Sequence, residues 1–99
     1  MNIKVMQLVN DNNNPAANQI VLFINDVLYF VSYGTNIAKY EIKTQKLTLS
    51  EKWNFSHTTS KHLYMFLRDY TKHPVYSCKD VRENIKNKVF KVVKTLDVK

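Results

Sequence analysis

Apolar and polar residues alternate, or crowd into short apolar runs, through the first half of the chain. Only after Trp53 do apolar residues recur every three or four positions. The period thus passes from that of a strand to that of a helix. Ile3 to Val9 reads as a first strand. From Gln19 the chain continues as a meander, Ile20–Ile24, Val27–Tyr33, Ile37–Ile42 and Lys46–Leu49, punctuated by turn signals at close spacing. Asn25-Asp26 predicts a two-residue hairpin turn, because both residue types tolerate positive φ. Tyr33-Gly34-Thr35-Asn36 uses the chain's one glycine for a second reversal, and Lys43-Thr44-Gln45-Lys46 supplies a third. Asn10 to Asn18, rich in asparagine and carrying Pro15, predicts a mobile loop.

Leu63, Phe66, Leu67 and Tyr70 fall at i, i+3, i+4 and i+7, the apolar stripe of a helix from about Thr59 to Tyr70 that faces the sheet. Lys61, Tyr64, Arg68 and Lys72 cluster on the opposite side as a basic, solvent-facing strip. Pro74 stops this helix. Ser77-Cys78-Lys79-Asp80 is an S-x-x-D capping box for a second helix that carries Val81 and Ile85 inward. Val89 to Lys94 is rich in β-branched residues and reads as a final strand, although Val81, Ile85, Val89, Val92 and Leu96 also fit a helical stripe. The expected fold class is α+β: an antiparallel β-meander sheet packed against one or two helices, with a C-terminal strand.

Residues 1–99 are expected to form one domain, at 44% hydrophobic and 12% aromatic, with no appeal to disorder. The single cysteine, Cys78, cannot close an intramolecular disulfide, no apolar run is long enough to span a bilayer, and Met1-Asn2-Ile3-Lys4 lacks the layout of a secretory signal. A reducing, cytosolic setting with no membrane is the expectation. Net charge is +7, almost all from lysine. Such a balance favours encounter with nucleic acid or anionic surfaces, and lysine and asparagine enrichment is also what an AT-rich genome produces.

The segment Trp53 to His62 carries the sharpest hint of chemistry. It opens a helix with hydroxyls, a lysine and two histidines, and Asp69 is its first acidic residue. A helix N-terminus has unpaired N–H donors and about half a positive charge, so His57, Thr58, Thr59, Ser60 and Lys61, continued by Arg68 and Lys72, form a candidate anion or nucleic-acid site. The bland alternative is that one hydroxyl, Thr58 or Thr59, caps the helix and the others are solvated. Tyr29, Tyr33, Trp53 and Tyr64 are candidate surface aromatics that could stack bases, against a role in covering the core. His57, His62 and His73 lack metal-ligand spacing, so no metal or cofactor is expected. Cys78 sits at a helix start beside Lys79, where a thiolate is stabilised, but no positioned base accompanies it in the sequence.

Ser32-Tyr33-Gly34-Thr35-Asn36-Ile37-Ala38 and Trp53 to Leu63 resemble small proteins of unknown function encoded by bacteriophages of low-GC Gram-positive bacteria. The resemblance implies an accessory protein made in the cytosol of an infected bacterium, where such proteins bind and redirect host machinery, including defence systems. The leading expectation is therefore a non-enzymatic module that binds a host protein or ribonucleoprotein. Direct nucleic-acid binding through the helix start and basic strip is the alternative, and a small hydrolase or thiol enzyme using Cys78 or the His57/Ser60 cluster is a third. A homodimer through an exposed edge strand or a tyrosine face stays open.

Overall fold

The computed structural model describes residues 3–9 and 15–96. Strand β1 (Ile3–Val9) pairs antiparallel with β2 (Pro15–Ile24), and β2 turns back at Asn25-Asp26 into β3 (Val27–Ser32). Both turn residues are left-handed, with φ of 50° and 66°, which is the hairpin geometry whose twist matches the flanking strands. Tyr33 (φ 49°) and Gly34 (φ 78°) repeat the device before β4 (Thr35–Glu41). A Cβ on Gly34 would meet nothing within 4 Å, so the glycine is there for its backbone angle and not for space. β5 (Lys46–Ser50) follows the third predicted turn, where Gln45 is left-handed.

β2 is longer than expected. Pro15–Asn18 form its first residues and not a loop, while residues 10–14 of the expected loop lie outside the described residues. Proline needs no ladder partner at a strand's first position, Ala16 is buried in the core, and the Gln7 side chain donates to the Ala16 carbonyl at 2.9 Å. Asn18 takes a φ of 63°, and Tyr33 N–H donates to its carbonyl, so the polar stretch stays in the sheet despite a kink.

Helix α1 (His57–Tyr70) and helix α2 (Cys78–Lys86) then carry the chain back to β6 (Phe90–Val93), which adds beside β5 in parallel. A parallel neighbour requires such a crossover. The predicted C-terminal strand is thus present, and the sheet, ordered β1-β2-β3-β4-β5-β6, is antiparallel except for this last pair. α2 is capped as predicted by Ser77, whose side chain accepts from Asp80 N–H, although Asp80 reaches back to Tyr76 N–H rather than to Ser77.

Register sorts the two faces. Met6, Val21, Phe30, Ala38, Leu49 and Val92 form one row across all six strands. Phe30 stacks on Phe66 of α1 with centroids 5.6 Å apart, so this row faces the helices. Its central members are fully buried together with Leu63, Phe66 and Leu67, the predicted stripe of α1, and with Val81 of α2. α1 lies over β3 and β1, and α2 lies beside β6. The molecule measures 32 × 31 × 22 Å, and its short axis has room for one sheet and one helix layer. Among the described residues, no helix is long and apolar enough to cross a membrane.

Candidate functional site

Ser56, not Thr58 or Thr59, caps α1. Its extended backbone (φ −145°, ψ 156°) lets its Oγ accept from Thr59 N–H at 3.1 Å. The same Oγ donates to Thr59 Oγ1 at 3.1 Å, and Thr59 Oγ1 lies 3.1 Å from Ser32 Oγ in the sheet. Thr59 is fully buried as a result. Ser60 is 8% exposed and its hydroxyl donates to the Ser56 carbonyl. The first turn contains no acidic residue, as read from the sequence.

These bonds correct the candidate anion site. Thr59 and Ser60 tie the helix to the sheet and to its own cap, so their hydroxyls do not face a ligand. His57, Thr58 and Lys61 are exposed at the helix start. Arg68 and Lys72 are exposed as well, but Arg68 Nε bonds Asp69 Oδ1 at 3.1 Å and Lys72 lies beyond the helix end. At about 1.5 Å per residue, Lys72 is roughly 16 Å from Lys61 along the chain direction. Lys61 and Arg68 thus lie along α1 and Lys72 just past its end, the length of a strip and not the compass of one anion.

The aromatic expectation is corrected in the same way. Tyr29 and Trp53 are 3% and 6% exposed; Trp53 closes the core edge, with the Arg82 guanidinium 5.8 Å from its ring centre. Tyr64 does not look out to solvent with the strip: it is half-buried against the core. Burial first, and the charge of the Cys78 sulfur second, push its hydroxyl above the ordinary tyrosine value, while the Ser60 hydrogen bond and Arg82 pull it down. Tyr33 is exposed, as expected. Phe55 and Tyr76 are exposed too.

The groups that could carry chemistry have structural partners. Arg82 Nε donates to Cys78 Sγ at 3.0 Å. His62 Nδ1 lies 2.8 Å from the Thr58 carbonyl, and His73 Nε2 lies 2.7 Å from the Gln45 carbonyl, between the edges of Tyr40 and Phe90. Among the described residues no group of three or more His, Cys, Asp or Glu is placed to hold a metal.

What the sequence did not reveal is the face of the sheet turned away from the helices. Val5, Leu22, Tyr29, Lys39, Thr48 and Lys91 form a second row across all six strands, one residue out of phase with the buried row. Its β1 end is apolar and open, with Ile3 59% and Val5 64% exposed. Its β4–β6 end is basic, and Tyr29, Lys39, Glu41, Lys46, Thr48 and Lys91 surround a hollow of about 450 Å³. The signal lies in register, since Lys39, Lys46 and Lys91 are far apart in sequence and meet only once the strands are aligned.

Residues 1–84 match the model of DUF8033, described as a family of unknown function. The chain belongs to the DUF8033 family. The DUF8033 match takes in β1 to β5, α1 and most of α2, and ends before β6. No curated protein and no solved structure matches the chain.

Proposed function

We propose that this chain is a non-enzymatic binding module, an accessory protein of the kind bacteriophages and mobile elements encode, which engages a host protein or ribonucleoprotein in the bacterial cytosol. The observation that carries this reading is the apolar end of the face turned away from the helices. Ile3 and Val5 project there from an edge strand whose outer side, among the described residues, has no partner in the sheet, next to the half-buried Ile20 and Leu22. Edge strands ordinarily carry charge or stay short to avoid pairing. β1 has seven residues and one charge, Lys4. A partner strand laid along that edge gains main-chain hydrogen bonds and covers both side chains.

Val5→Lys tests the reading. A lysine at the centre of the contact must bury an unpaired charge or hold the partner off, and about 1.4 kcal/mol already makes a tenfold difference in affinity. The immobilised wild-type chain is expected to retain a discrete protein or ribonucleoprotein from the lysate of a low-GC Gram-positive bacterium, and the variant to lose it, with both melting alike. Equal retention by both chains contradicts the reading. Sedimentation of the chain alone separates a foreign partner from a second copy on the same edge.

A further inference from the structure

We infer that the basic end of the open face is a binding site for the phosphate backbone of single-stranded nucleic acid. The site goes beyond the function proposed above and uses different residues from Ile3 and Val5. Lys39 on β4, Lys46 and Thr48 on β5 and Lys91 on β6 stand in adjacent strands on one face, because Lys39 pairs with Thr48 and Thr48 with Lys91. Strands about 4.8 Å apart place Lys39 and Lys91 on either side of the Thr48 hydroxyl. Three lysines surround the hollow against one acid, Glu41. Among the described residues, no ion pair or hydrogen bond engages the side chains of those three lysines.

The shape selects the ligand. Tyr29, 3% exposed, lies at the back of the hollow, and Val93 and Leu96 give it an apolar wall. A second hollow of about 250 Å³ shares Lys46, Thr48 and Lys91 with the first and adds Lys88, so the cations continue along the β5–β6 seam. A row of lysines beside a recess fits a flexible chain of repeated anions whose bases can turn toward the apolar wall. Lysine binds phosphate as a point charge and needs no bidentate geometry. A duplex, whose backbone keeps to a fixed helical path, is expected to follow the recess less closely than a strand that can bend.

The test is fluorescence anisotropy of labelled oligo-dT and oligo-rU of about a dozen nucleotides with the full chain, across a salt series. The triple variant Lys39→Ala/Lys46→Ala/Lys91→Ala is expected to raise Kd by at least about tenfold and to flatten the salt dependence by about 0.7 per lost phosphate contact. Lys61→Ala/Lys72→Ala/Lys86→Ala removes the same charge from the helix side and is expected to leave Kd within about twofold of wild type. Equal loss in both variants reduces the binding to net charge and overturns the site, as does undiminished binding by the first. Equal affinity for a duplex of the same length, or full competition by tripolyphosphate at matched phosphate concentration, overturns the single-strand assignment. If the triple variant melts early, Lys91→Glu, at an exposed strand position, gives the same reading alone. Loss of lysate capture in Val5→Lys leaves this site untouched, so the two proposals fail separately.

Discussion

Gln19 is the residue least at ease in the structure. It is fully buried, and among the described residues neither its amide nitrogen nor its amide oxygen has a hydrogen-bond partner. It pairs in register with Ser32, whose hydroxyl meets Thr59 of α1, so it belongs to the layer between sheet and helix. An unpaired buried polar group costs roughly 1–3 kcal/mol. Gln19→Met keeps the length of the side chain and removes the polar atoms, and is expected to raise Tm by several degrees, at about 4–8 °C per kcal/mol for a domain of this size. A lower Tm would show that the amide has a hidden partner, an ordered water foremost. Ser56 illustrates what was legible at this scale. A hydroxyl cap before Leu63 was readable, but its identity was not, because Thr59 is diverted to Ser32 by a contact between residues 27 positions apart. Local spacing cannot register such a competitor.

At the scale of elements, the strand and helix periods and the Asn25-Asp26 and Gly34 turns carried most of the fold. The choice of strand over helix for the last element was made by β-branched content and is what the structure has. Its parallel placement was not legible, since it depends on how two helices pack and not on the strand itself. The early start of β2 was missed because asparagines and a proline signal turns, whereas Ala16 finds a buried position and Gln7 a carbonyl. The end of α2 holds a testable strain. Lys88 N–H donates to the Ile85 carbonyl and Val89 N–H to the Asn84 carbonyl, the paired bonds of a Schellman ending, with Lys88 left-handed at φ 62°. Glycine is the residue suited to that position, and a left-handed side-chain-bearing residue costs roughly 1–2 kcal/mol. Lys88→Gly is expected to stabilise the chain by about 1 kcal/mol in urea unfolding, after the entropy of the added glycine is set against the relief. A destabilised variant would show that the Lys88 side chain holds the α2–β6 junction.

For the whole molecule, the two faces divide the work. One is covered by α1 and α2 and contains the core; the other runs from an apolar β1 edge to a lysine-lined recess at β4–β6. The sequence carried the net charge of +7 but not its placement. Lys61, Arg68 and Lys72 are legible as a strip because a helix gathers residues that are close in sequence, while a sheet gathers Lys39, Lys46 and Lys91 from three strands. Tyr29 and Trp53 follow the covering alternative and not the base-stacking one: both are buried, Trp53 at the core edge and Tyr29 under the hollow of the open face. Membership of DUF8033 agrees with a shared framework for β1 to β5 and α1, and adds no activity to it.

Both proposals place the working surface of the molecule on the open face of the sheet. The most direct test of that placement is site-specific photocrosslinking in a low-GC Gram-positive lysate, with the photoreactive residue placed in turn at Val5 and Lys91 on the open face and at Lys61 on the helix side. Discrete adducts are expected from Val5 or Lys91 and none from Lys61. Adducts from Lys61 alone, or equally from all three positions, would contradict that placement.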